Sequence, residues 1–161
     1  MKRLLFVCMG NICRSPAGEG VMQALVNARG LQEKISIDSA GTINYHTGHR
    51  ADKRMQQAAN RRGYELLSRA RQITREDCLE FDLIVAMDRE NLAYCQNLSK
   101  EYAGKMRLLS DFLAKDATDN SGAAFPEEVP DPYYGGEAGF EFVLDMIEQA
   151  CPNIMESLVA E

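Results

Sequence analysis

Arg3-Leu4-Leu5-Phe6-Val7-Cys8-Met9-Gly10-Asn11-Ile12-Cys13-Arg14-Ser15-Pro16-Ala17 opens as a short apolar run, breaks at Gly10 and Asn11, and resumes behind Ser15 and Pro16. An apolar run of this length without polar alternation reads as a strand buried on both faces, as in parallel sheets. Gly and Asn mark a turn, and Ser-Pro a helix start. Ala17, Val21, Leu25 and Ala28 then recur at helical spacing up to Gly30, which stops the helix. The stretch therefore predicts a strand, a tight loop and a helix of roughly three to four turns.

The same unit repeats outward from it. Ile35 and Ile37 alternate with Ser36 and Asp38, a second short strand before Ser39-Ala40-Gly41 and a loop reaching about His49. Residues 51–62 set Met55, Ala58 and Ala59 on one side and Arg54, Arg61 and Arg62 on the other, an amphipathic helix closed by Gly63. Phe81 to Met87 reads as a strand, with Asp88 as N-cap of a helix through Asn97. Met106 to Leu109 is a fourth strand, and residues 114–136 a long loop. Phe140, Val143, Leu144, Ile147 and Met155 mark a C-terminal helical region that Pro152 should break or kink. Strands alternating with helices predict the α/β class. The expectation is a single doubly wound domain over residues 1–161, its central, mostly four-stranded parallel sheet covered by helices on both faces in a flavodoxin-like topology. Ligands of such sheets bind beyond the carboxyl ends of the strands, which points to the loops after Val7, Ile37 and Ile84.

Bulk properties narrow the function. The 161 residues suit one domain with a full core, and no apolar run is long enough to span a membrane. Leu4 to Val7 is too short for a signal-peptide core. Five cysteines, Cys8, Cys13, Cys78, Cys95 and Cys151, include no CxxC pair and fit neither a disulfide framework nor a structural zinc site. Free thiols in the cytoplasm are the simpler expectation. The net charge of −6 conceals a basic first half and an acidic tail, which carries a single Lys beyond residue 110. An acidic chain without a basic, aromatic-interleaved tract disfavours nucleic acid.

Cys8 and Arg14 frame the pattern C-x5-R-S. At a strand-to-helix junction successive backbone N–H groups converge on an anion and the helix N-terminus adds positive potential, so Met9, Gly10, Asn11, Ile12 and Cys13 would cradle phosphate or another oxyanion. Those surroundings and Arg14 favour the thiolate of Cys8, the nucleophilic form. The Arg14 fork can bind two phosphate oxygens, and Ser15 can donate to the departing sulfur. C-x5-R alone also arises by chance, as a strand-end Cys and a surface Arg; the flanking strand, glycine and Ser-Pro favour the phosphate loop. Cys13 is either filler or a disulfide partner that would block Cys8 reversibly.

A leaving phenolate needs a proton. Asp131, in Pro130-Asp131-Pro132-Tyr133-Tyr134-Gly135-Gly136, is the candidate acid, although an Asp in a turn is on spacing alone the commoner explanation.

VCMGNICRSP over Val7 to Pro16 and DPYYGG late in the chain resemble the two signature motifs of the low-molecular-weight protein tyrosine phosphatases. Asp38-Ser39-Ala40-Gly41, Ala70-Arg71-Gln72-Ile73-Thr74 and Met87-Asp88-Arg89-Glu90-Asn91-Leu92 extend the likeness along nearly the whole chain. The resemblance implies Cys8 as nucleophile, Arg14 as phosphate binder, Ser15 as leaving-group stabiliser and Asp131 as general acid, then base. It implies no metal and no cofactor. Asn11 and Ser39 match a hydrogen-bonded pair that braces the loop, and Tyr45, Tyr133 and Tyr134 fall where aromatic residues wall the cleft. Phosphotyrosine-containing proteins are the implied partners, and a monomer or weak dimer the expected state. The chain departs from the family at Ser68, where many members have His and a bracing hydrogen bond would change. His46 and His49 are assigned no role and are expected at the surface.

Rival readings remain. An arsenate reductase would need relay thiols, for which Cys78 and Cys95 are available in number. A protein-arginine phosphatase resembles the chain but with Thr where Ile12 stands. A non-catalytic phosphotyrosine-binding module or a flavin carrier would use the same cradle without turnover. Phosphorylation of Tyr133 or Tyr134 is a further expectation from their place in an acidic loop.

Overall fold

The apolar run forms the middle of β1 (Lys2–Cys8) in a computed structural model that describes residues 1–160. Leu4 and Phe6 enter one core and Leu5 and Val7 the other, the two-residue period of a strand between two helical layers. β1 pairs in parallel with β2 (Ile35–Gly41) on one side and β3 (Leu83–Ala86) on the other, and β3 pairs in parallel with β4 (Met106–Leu108). The order β2-β1-β3-β4 is the four-stranded parallel sheet that the sequence predicts.

Helices α1 (Arg14–Ala28), α2 (Lys53–Arg61) and α5 (Glu137–Val159) contribute Met22, Met55 and Phe140 to the core around Leu4 and Phe6. Helices α3 (Arg75–Glu80) and α4 (Arg89–Leu98) contribute Cys78 and Cys95 to the core around Leu5 and Val7. No helix among the described residues is long and apolar enough to cross a membrane.

Several boundaries differ from the sequence expectation. The strand expected over 81–87 pairs only from Leu83 to Ala86, because Phe81 still donates to the Asp77 carbonyl at the end of α3. That helix was not expected; a capping box closes it, Thr74 Oγ1 accepting from the Asp77 N–H and Asp77 accepting from the Thr74 N–H. Pro152 does not break the C-terminal helix, which runs on to Val159. An interior proline costs about 3 kcal/mol, yet Ile154, Met155 and Leu158 beyond it are buried, each offsetting roughly 1.5–3 kcal/mol. Residues 114–136 contain only an isolated bridge between Thr118 and Ala124, and Val129 ties them to the sheet by donating to the Met87 carbonyl at 2.9 Å.

The chain leaves β1 toward β2 and later crosses to β3 on the opposite side. That reversal is a topological switch point, and it opens a crevice at the carboxyl end of β1.

Candidate active site

Cys8 ends β1 at that crevice and is 2% exposed. Its sulfur lies 3.0 Å from Ser15 Oγ and receives the Asn11 N–H at 3.3 Å, so the chain curls around the thiol within one turn. The curl depends on Asn11, whose φ of 58° lies in the left-handed region that Asn enters more easily than other side-chain-bearing residues. Three bonds fix it there. Asn11 Nδ2 donates to Ser15 Oγ at 2.8 Å and Ser39 Oγ at 3.0 Å, and Oδ1 accepts from the Arg71 N–H at 3.0 Å. Asn11 therefore lies behind the loop and acts on its shape.

Ser39 passes the brace on, donating to Glu19 at 2.6 Å. Burial pushes the Glu19 carboxyl above its usual range, while the Ser39 bond and Ser68, which faces the same carboxyl, draw it back in part. The departure at residue 68 thus falls inside the bracing network.

Arg14, the first residue of α1, is buried. Nη1 donates to Asp88 at 2.7 Å and to the Val129 carbonyl at 3.1 Å, and Nη2 lies 3.7 Å from Asp131 Oδ2. Burial works against this charge, but Cys8, Asp88 and Asp131 outweigh it and raise the guanidinium's pKa. Asp88, which pairs with Arg14 without lining the cleft, also caps α4 as its sequence position predicts: its carboxylate accepts the Asn91 N–H at 2.8 Å.

Asp131 reaches the site from the long loop, where the Tyr133 N–H holds Oδ1 at 3.1 Å. A cleft of about 310 Å³ joins Cys8, Met9, Gly10, Ile12, Cys13 and Arg14 at its floor to Tyr45, Asp131, Tyr133 and Tyr134 at its walls. Ile43 and His46 line it too. His46 is a wall residue packed edge-on against Tyr45, with ring centroids 4.8 Å apart, and is not the plain surface residue expected; His49 is exposed.

Of the remaining thiols, Cys13 lines the cleft and the others do not. Cys78 and Cys95 lie in the core of the far face and do not line the cleft, and burial raises both, Cys95 to about 12. Burial also pushes Cys13 up, with Asp52, Cys8 and Asp131 adding to it, so that thiol stays protonated.

A family model described as low molecular weight phosphotyrosine protein phosphatase matches residues 3–161. A Synechocystis sp. relative, named provisionally as a low molecular weight protein-tyrosine-phosphatase, is 47% identical and covers 99% of this chain and 98% of its own. A Streptomyces coelicolor low molecular weight protein-tyrosine-phosphatase is 39% identical, over 97% of this chain and 93% of its own. Among solved structures, a protein tyrosine phosphatase from Entamoeba histolytica with Hepes in its active site superposes with a TM-score of 0.90 at 42% identity, covering 99% of this chain and 98% of that one.

Proposed function

This chain belongs to the low molecular weight phosphotyrosine protein phosphatase family, and from that premise we propose that it hydrolyses phosphotyrosine and related aryl phosphate monoesters through a phosphocysteine on Cys8. The observation that carries the reading is convergence: the Cys8 sulfur and the Arg14 guanidinium, from one strand-loop-helix unit, and the Asp131 carboxyl, from the distant long loop, face one cleft.

In the first step the Cys8 thiolate attacks phosphorus as the P–O bond to the aryl group breaks. Asp131 gives its proton to the leaving phenolate oxygen. Arg14 and the loop N–H groups hold the equatorial oxygens as charge shifts among them, a preorganised arrangement that needs no reorganisation at the moment of reaction. In the second step water attacks the phosphocysteine, Asp131 accepts its proton, and the thiolate leaves. Ser15 stabilises that thiolate by donating to it across 3.0 Å.

Selectivity for aryl esters follows from the walls. Tyr45, Tyr133 and Ile12 offer apolar surface to a flat ring, with centroids of Tyr133 and Tyr134 5.0 Å apart in an edge-on pair. Phosphotyrosine-containing proteins are accordingly the proposed substrates. The five free thiols support a reducing, cytoplasmic setting.

The test is p-nitrophenyl phosphate hydrolysis between pH 5 and 7 with EDTA present. Cys8→Ser should abolish turnover, and Asp131→Asn should lower it by about 10²–10³-fold, within the usual range for a general acid. Turnover that survives Cys8→Ser would defeat the reading.

A further inference from the structure

We propose that Arg54 is a positioning residue, which fixes the Asp131 carboxyl over the phosphate loop. The inference rests on Asp131 serving as the acid.

The local hydrogen bonds of residues 131–135 run from the Tyr133 N–H to Asp131 and from the Gly135 N–H to the Pro132 carbonyl. They set the shape of the turn, not its place over the cleft. Arg54 ties the turn to another element. Its Nη2 donates to the Tyr133 carbonyl at 2.9 Å, and its guanidinium lies over the rings of Tyr133 and Phe140, 5.4 Å and 4.8 Å from their centroids. Phe140 is fully buried in α5, so the stack leans on the core.

The same Nη2, together with Nε, also faces Asp52, Nε and Nη2 donating to its two oxygens at 3.1 Å and 2.9 Å. Asp52 in turn donates its N–H to the carbonyl of Ile12, inside the phosphate loop, at 2.8 Å. A continuous path therefore runs from Ile12 through Asp52 and Arg54 to Tyr133, and from the Tyr133 N–H to Asp131 Oδ1. Arginine suits this path because one planar fork serves a carboxylate and a carbonyl while its face stacks on two rings, which a lysine cannot do.

A misplaced acid matters most when the leaving group is poor, and that separates positioning from general support. The experiment compares kcat/KM of wild type, Arg54→Ala, Arg54→Lys, Asp131→Asn and Arg54→Ala/Asp131→Asn on aryl phosphates whose leaving phenols run from dinitrophenol to phenol. Circular dichroism melts verify the folding of each. We expect Arg54→Ala to lose about 30-fold on phenyl phosphate and less than about 3-fold on the dinitrophenyl ester, an effect of the size that a small displacement of a catalytic group produces. Arg54→Lys should fall between, and the double variant should be no slower than Asp131→Asn. An equal loss along the series, or no loss, overturns the role of Arg54 while a steep dependence in Asp131→Asn leaves the acid assignment standing. A flat series for Asp131→Asn removes the assignment and this inference with it.

Discussion

Gly41→Ala should disable the phosphate loop from a residue that does not line the cleft. Gly41 ends β2, where its N–H donates to the Arg71 carbonyl and its own carbonyl accepts from Ile73, both at 2.8 Å, so its backbone is held on both sides. A Cβ there would lie 2.6 Å from the Met9 carbonyl oxygen, 3.1 Å from Asn11 Cβ and 3.2 Å from the Asn11 nitrogen. Ordinary contact begins at 3.4 Å, so the Met9 carbonyl must move by about 0.8 Å. That atom is backbone of the loop curled around Cys8, and no side-chain rotation relieves it. Overpacking of this kind costs roughly 1–3 kcal/mol, and at about 2–4 °C per kcal/mol the melting temperature should fall by roughly 2–12 °C. A displacement near 1 Å at a reacting centre costs about 10²-fold, so kcat/KM for p-nitrophenyl phosphate should fall by that order in protein that is still folded at the assay temperature. Gly20→Ala is the control: its Cβ would meet the end of the Leu66 side chain at 2.4 Å, which can rotate away. If Gly41→Ala retains wild-type kcat/KM, or loses activity only in proportion to its unfolded fraction, the argument that β2 shapes the loop is wrong.

Two further outcomes follow from half-buried carboxyl groups. Glu19→Gln keeps an oxygen to accept from Ser39 but removes the titration. Since burial raises the folded carboxyl above its unfolded value, the stability it contributes is full below the unfolded pKa of about 4.3 and is lost as pH rises through the folded value. Melts from pH 4 to 8 should therefore show Glu19→Gln gaining on wild type as pH rises; a pH-independent difference would contradict this. Asp88→Asn removes the charge facing Arg14 at 2.7 Å while leaving a residue able to cap α4, and should destabilise by roughly 1–3 kcal/mol. Inorganic phosphate would supply the missing counter-charge, so saturating phosphate should raise the melting temperature more in Asp88→Asn than in wild type. Equal shifts would show that Asp88 does not balance Arg14.

The sequence was most legible where structure is local. Leu4 to Val7 and Leu83 to Ala86 are apolar on consecutive positions, and only a strand covered on both faces uses every one of them. Helix α3 escaped because six residues are too few to display a helical period, although Thr74 and Asp77 carried its cap. Pro152 misled because a local penalty was read without the core stripe of α5 that outweighs it.

The site divides in the same way, by distance along the chain. Cys8, Arg14 and Ser15 lie within one strand-loop-helix unit, so their spacing already brings them around one anion. Asp131 could be singled out only with the help of family resemblance, since nothing local says which loop a turn will face. Asp88 shows a different obstacle. As N-cap of α4 it had a sufficient local explanation, which left no reason to seek another. Its second contact follows from sheet order alone: Val7 lies opposite Ala86, so two residues further on Asp88 stands beside the start of the phosphate loop, within reach of Arg14 across 74 positions of sequence. A polar residue just past the carboxyl end of a strand next to the switch point therefore calls for a second reading even when a cap already accounts for it.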